Sequence, residues 1–293
     1  MSNARMSNVL LFVLPALIWG STWYVIKFQL GVVPPLWSVV YRFLLGGLIL
    51  VAYCVLRGVR MRFAVREHAR ILMQGVFLFG LNYWLVYIAE EELTSALVAV
   101  AFSTIIFFNI AFGTIFLHRK TERKVLLGAV LGLLGTVLLF YQDLQQLDYD
   151  QWPVFSIVVC ILSVVSASLG NVTSAANQQV GIPVLQTNAY GMLYGAFMMS
   201  LIALVSGTAP AFEATSAYIG SLLYLSLFGS IAAFGSYLTL VGRMGADRAA
   251  YVLIVIPVIA LLLSMALEDY AFRAFAMIGI SLILVGNLIV LRK

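Results

Sequence analysis

The sequence predicts an all-α integral membrane protein in which ten helices form two inverted five-helix repeats, residues 1–146 and 147–293, with both termini cytoplasmic. Three observations carry this expectation. Apolar runs of about twenty residues, the length a helix needs to cross hydrocarbon, succeed one another along the whole chain. The loops between them alternate between basic and acidic. A glycine-rich motif near the middle of the chain returns near its end.

The 293 residues are 63% hydrophobic and only 10% charged, with a mean hydropathy of +1.04. A soluble domain carries about 25% charged residues, and a membrane barrel would show short alternating segments instead of long apolar ones. The net charge of +5 does not indicate a nucleic-acid partner, because the cations sit in short loops between apolar runs. Cys54 and Cys160 both fall inside such runs, where packing is their default role. No metal-ligand cluster and no cofactor motif is present.

The first helix is expected over Leu10–Gln29. Trp19-Gly20-Ser21-Thr22-Trp23 puts aromatic bulk where a signal-peptide cleavage site needs small residues, so the segment reads as a retained helix. Trp19, Ser21 and Tyr24 belong to this aromatic and hydroxyl patch and are candidate substrate contacts. The second helix, Pro35–Leu56, holds Arg42, the one charge well inside a helix, about 10 Å from its outer end at 1.5 Å per residue. A charge at that depth faces protein or water. It either binds a substrate carboxylate or pairs structurally with a helix end or the Glu90–Glu92 cluster. In the third helix, Ile71–Ala89, Phe79, Tyr83 and Tyr87 recur every four residues beside Asn82. That stripe is either a stacking wall for an aromatic solute or helix packing with an outer aromatic belt.

The fourth helix, Thr94–Leu117, carries Ser103, Thr104 and Asn109 deep in an apolar span, though hydroxyls there can bond to their own backbone. Gly128 and Gly132 in the fifth, Val125–Tyr141, suit close helix crossing, as do Gly191 and Gly195 in the seventh, Val184–Ser206. The sixth, Trp152–Ser174, bears a stripe of small residues from Ser156 to Ser174. It also bears Asn171, whose amide needs several partners. Ser230, Ser236 and Tyr237 mark the eighth, Ala217–Val241. In the ninth, Ala249–Leu267, Tyr251 is polar, and Pro257 frees the carbonyl of Leu253, either for a gating kink or as a purely structural feature. The tenth is Phe272–Leu291.

The loops test this division. Arg5, Arg57, Arg60, Arg62, Arg66, Arg70, Arg119, Lys120, Arg123, Lys124, Arg243, Arg248, Arg292 and Lys293 fall on one side, leaving only three of the 17 basic residues elsewhere. Nine of the 12 acidic residues, including Glu90–Glu92, Asp143, Glu213 and Glu268, fall in the alternate connections. Basic loops stay cytoplasmic. Trp23, Trp37, Tyr141, Tyr149, Trp152, Tyr218 and Tyr270 then lie near the outer boundary, as amphipathic anchors do.

Gly128, Leu131 and Gly135 recur as Gly279, Leu282 and Gly286 at an offset of 151 residues, and Pro35 stands before Arg42 as Pro183 stands before Tyr190. An odd number of helices per repeat inverts the second copy. Inverted repeats with a midplane site between them characterise alternating-access carriers. Trp19-Gly20-Ser21, Pro35 with Tyr41-Arg42-Phe43, and Pro257-Val258 followed by Glu268, Gly279 and Gly286 resemble the drug/metabolite transporter superfamily and its EamA-type ten-helix members. The resemblance covers the whole chain. Length and aromatic-rich segments are similar to its bacterial aromatic amino acid exporters, which implies export of aromatic and other neutral amino acids across the inner membrane.

Elimination agrees. A lipophilic cation or drug, the alternative substrate, is usually held by a buried carboxylate, and none is placed mid-helix. A phosphate ester needs several buried cations. An intramembrane enzyme lacks a histidine base, since His68 and His118 sit in basic loops. With no titratable group at bilayer depth beyond end-located candidates such as Glu90 and Glu268, facilitated export or exchange down a gradient is expected. The expected partners are the bilayer and a small-molecule substrate, the amino acids, with no nucleic acid, and the expected state is a monomer, with a homodimer as the alternative.

Overall fold

The computed structural model describes residues 3–29, 31–90, 92–93, 95–145, 154–267 and 274–291. Every regular element among them is helical. In chain order they are α1 (Asn3–Ile26), α2 (Pro35–Leu56), α3 (65–90), α4 (95–117), α5 (Arg123–Leu139), α6 (Val154–Gln179), α7 (Val184–Val205), α8 (Ser216–Met244), α9 (Tyr251–Leu267) and α10 (Ala274–Leu291). Eight of these, α1–α4 and α6–α9, are long and apolar enough to cross a membrane; α5 has 17 residues and the apolar stretch of α10 covers Phe275–Val290.

Several ends differ from the hydropathy expectation, each for a local reason. α3 begins at Val65 rather than Ile71, because Glu67 accepts the Ala64 N–H at 2.6 Å and closes its first turn. α6 continues to Gln179 instead of stopping at Ser174. Its polar end is buried and bonded, with Asn177 donating to Gln74 at 3.0 Å and Gln178 to the Leu238 carbonyl at 2.8 Å. α4 is interrupted at Thr104. The irregularity before α9 is a separate turn, Ala246–Ala249, and the helix runs unbroken through Pro257. Two expected belt residues are interior instead. Trp37 donates to the Thr208 carbonyl at 2.9 Å, and Tyr218 shares a 3.0 Å hydrogen bond with Ser38. Tyr149, Trp152 and Tyr270 lie outside the described residues.

Both α3 and α8 widen into a π turn part-way along, at Val76–Leu81 and Leu225–Ala232. Such turns shift side chains off the regular helical period and concentrate at functional sites.

Helix neighbours come in matched sets. α1 lies on α9 as α6 lies on α4, α1 on α8 as α6 on α3, and α2 on α8 as α7 on α3. α5 packs against α10, and α2 against α7. Glycines permit the closest of these crossings. A Cβ on Gly128 would stand 2.8 Å from the Gly286 carbonyl, and one on Gly135 2.7 Å from that of Gly279, so the α5–α10 seam is antiparallel backbone against backbone. α2 and α7 also run antiparallel, since Trp37 meets Thr208 at one end while Tyr190 donates to the Met61 carbonyl at 2.8 Å at the other. The paired glycines Gly191 and Gly195 face the Phe79 side chain and backbone of α3, in the packing role their spacing suggests. Cys54 and Cys160 are both buried.

Candidate functional site

The site forms where α2 crosses the π turn of α8. Arg42 is 5% exposed, and its Nε donates to Ser230 Oγ at 2.8 Å. Ser230 in turn donates to the Leu225 carbonyl five residues back, at 3.0 Å, a bond natural to the widened turn. Ser226 donates to the Arg42 carbonyl at 3.2 Å. Two serines of one π turn therefore fix the backbone and the side chain of the same arginine.

The rest of the guanidinium is uncommitted. No carboxylate among the described residues lies within ion-pair distance, and neither terminal nitrogen hydrogen-bonds a described residue. Its carbon lies 5.4 Å from the Phe43 ring centre and 5.5 Å from that of Tyr83. Cation–π contacts of this kind contribute roughly 0.5–2 kcal/mol, against several kcal/mol for taking an ion out of water. The ring contacts alone fall short of that cost.

Aromatic rings extend from this cation in a connected series. Phe43 meets Tyr83 at 4.9 Å and Phe79 at 5.3 Å, Phe79 meets Phe234 at 4.9 Å, and Phe234 meets Trp19 at 4.9 Å. Trp19 then meets Tyr237 at 5.3 Å. Trp19 is held in place by its Nε1, which donates to the Gly229 carbonyl of the π turn at 3.0 Å. Gly229 lies close to the guanidinium, so that a Cβ there would stand 3.1 Å from Arg42 Nη2 and press on it. Asn171 donates to Tyr237 Oη at 3.1 Å, while its Oδ1 and that of Asn82 are buried without a donor. Rings, hydroxyls, two amides and one cation can bind an aromatic or apolar solute bearing a carboxylate. They offer no nucleophile–base pair.

The sequence pattern of the EamA-like transporter family matches residues 6–141 and again residues 154–292. The chain belongs to the EamA-like transporter family. Among its relatives is the uncharacterized inner membrane transporter YedA of Escherichia coli K12, 28% identical over 86% of this chain and 79% of that protein. The uncharacterized transporter YoaV of Bacillus subtilis is 26% identical over 84% and 83%, and protein PagO of Salmonella typhimurium 20% identical over 96% and 92%. A crystal structure superposes with a TM-score of 0.79 over 97% of this chain and 96% of its own, at 19% identity, a likeness of fold. This EamA-like transporter is a multi-pass inner-membrane protein, and its relatives' names specify no substrate.

Of the residues singled out in the sequence, Trp19, Arg42, Phe79, Tyr83, Asn171 and Tyr237 come together around the α2–α8 crossing, while Asn82 is buried on α3 beside Tyr83. Others do not. Tyr24 is 39% exposed and touches Phe28. Ser21 bonds to the Ile18 carbonyl and Tyr224 Oη, both at 2.7 Å. Ser103 and Thr104 turn back to the carbonyls of Ala99 and Ala101, as hydroxyls in apolar helices do. Tyr251 lies in a second apolar cluster of this transporter, donating to the Val125 carbonyl at 2.6 Å. Tyr87 is half-buried at the edge of the main core. The structural pairing envisaged for Arg42 is not with Glu92, which accepts from Ser156 at 2.6 Å. Ser230 was singled out in the sequence as a polar residue of the eighth helix, whereas Phe43, Gly229, Ser226 and Phe234 were not among the candidates. Ser226, Ser230 and Phe234 repeat every four residues, the spacing of one helical face.

Proposed function

We propose that this EamA-like transporter exports neutral, chiefly aromatic, amino acids from the cytoplasm by alternating access. In this account ten membrane helices form two inverted repeats, residues 1–146 and 147–293, with both termini cytoplasmic. The twofold family match supports the repeat, as do the matched sets of helix neighbours and the antiparallel pairing of α5 with α10 and α2 with α7. The reciprocal Gly128–Gly286 and Gly135–Gly279 contacts have the form expected about a twofold axis. The π turns of α3 and α8 begin 149 residues apart, at Val76 and Leu225.

One observation carries the substrate assignment: a buried arginine whose terminal nitrogens have no partner among the described residues, set in a run of aromatic rings. A carboxylate supplies charge-assisted hydrogen bonds there, and an aromatic side chain supplies ring contacts. A lipophilic cation would meet Arg42 as a like charge. No carboxylate or imidazole is among the described side chains grouped around Arg42, so the account expects movement down the solute gradient.

The test is solute flux into proteoliposomes, comparing phenylalanine and tryptophan with a lipophilic cation, with and without a pH gradient. Saturable, pH-gradient-independent movement of the amino acids is expected. Movement of the cation alone overturns the substrate, and abolition of flux when the gradient is collapsed overturns the facilitated mode.

A further inference from the structure

Away from the aromatic site, the connection from α8 to α9 is tied to the ends of α4 and α5 by contacts that cross between the two halves of the chain. Gly245 has a φ of +99°, a left-handed conformation that favours glycine, and starts the short helix Ala246–Ala249. Asn109 donates to the Ala246 carbonyl at 2.9 Å and is itself held by Ser168 at 2.7 Å. Arg248 pairs with Glu122. Tyr251 donates to the Val125 carbonyl at 2.6 Å. Beneath this strap lies a narrow cleft, lined by Asn109, Gly113, Leu117, Arg119 and Asp247, with Val172 at its wall. Val172 stands next to Asn171 on α6.

We propose that segment 245–251 is the inner gate of the transport path, closed in this conformation by its contacts with Asn109, Glu122 and Val125. The proposal rests on the orientation given above, in which the basic loops face the cytoplasm. Three modest contacts suit a gate: an exposed ion pair and two hydrogen bonds hold a population without locking it. Arg119 and Asp247 at the rim present one charge of each sign to an entering zwitterion. Opening leaves the hinge at Gly245 and the far end of α9 in place.

The test uses a full-length chain with Cys54 and Cys160 replaced by alanine. Gly113→Cys supplies a reporter thiol, since a Cβ at that buried glycine meets nothing within 4 Å. Inverted membrane vesicles are treated with a membrane-impermeant maleimide. Adding Glu122→Gln and Tyr251→Phe is expected to raise the labelling rate by about tenfold, each lost contact being worth a few-fold in population. The charge exchange Glu122→Arg with Arg248→Glu is expected to keep the parental rate. Val172→Cys, deeper in the cleft, serves if the first reporter disturbs folding. Unchanged labelling in the double variant overturns the gate, as does a parental reporter that already reacts as fast as a thiol at exposed Lys120. If labelling rises as expected while proteoliposomes move no phenylalanine, the gate stands and the substrate assignment fails.

Discussion

Replacing Arg42 by glutamine separates a substrate-binding arginine from a structural one. In the parental protein the guanidinium is 5% exposed, hydrogen-bonded through Nε to Ser230 at 2.8 Å, and without a carboxylate among the described residues. A structural ion pair broken by this substitution would leave a buried charge and destabilise the fold by about 3–5 kcal/mol. No such partner stands among the described residues, so the unliganded Arg42→Gln protein is expected to melt no lower than its parent. Binding behaves differently. A hydrogen bond to a charged group contributes roughly 1.5–3 kcal/mol, so losing it weakens phenylalanine affinity about ten- to 150-fold. Arg42→Lys keeps the charge but loses the planar fork, and falls between the two. Phenylalanine titration in detergent, followed by the fluorescence of Trp19 and the other tryptophans, reads the affinity, while thermal unfolding of the same samples reads stability. An unchanged dissociation constant, or a fall in melting temperature with binding intact, refutes the assignment.

Other expectations follow from packing and charge. Gly279→Val places a Cβ 2.5 Å from the Gly135 carbonyl and 2.7 Å from the Leu139 nitrogen, both backbone atoms. Overpacking of this kind should cost about 1–3 kcal/mol or more by denaturant unfolding, whereas Gly220→Ala, with nothing within 4 Å of its Cβ, should be neutral or gain up to about 1 kcal/mol from helix propensity. Tyr237→Phe leaves the Asn171 amide with neither end bonded and should destabilise by about 1–3 kcal/mol in the same assay. The hydrogen bond from Lys124, with the charge of Arg248 beside it, holds the Glu122 carboxyl below its ordinary range. A carboxyl lowered on folding stabilises above its unfolded value, near 4.5, and loses that contribution as pH falls through the lowered value. Melting curves of the parent and Glu122→Gln should therefore differ at pH 7 and converge in acid.

The helical membrane architecture was legible because hydrocarbon imposes a simple rule: a segment of about twenty apolar residues, charges outside. The glycine motif was legible for a related reason, since backbone contact between α5 and α10 tolerates nothing larger at Gly128, Gly135, Gly279 and Gly286. Arg42, Phe79, Tyr83 and Trp19 stood out as a charge or rings at depth, and they do meet. What the sequence hid was their partners. Ser226, Gly229, Ser230 and Phe234 stand at i, i+3, i+4 and i+8, one helical face, but the spacing does not say that this face meets Arg42 and Trp19. Tyr251 stood out equally on polarity, yet it ties α9 to α5, because a single hydroxyl is satisfied by one carbonyl wherever the fold supplies it. The end of α6 was missed for the opposite reason. Asn177 and Gln178 look like loop residues until Gln74 and the Leu238 carbonyl are brought beside them.

The most direct test of the central claim is counterflow. Proteoliposomes loaded with unlabelled phenylalanine are diluted into a trace of labelled phenylalanine, with the parental chain and with Arg42→Gln. The account expects transient accumulation of label by the parent and at least a tenfold lower initial rate in the variant at subsaturating substrate, by the loss of roughly 1.5 kcal/mol or more of binding. Equal counterflow by the two proteins would contradict it, as would a parent that accumulates no amino acid but does accumulate a lipophilic cation.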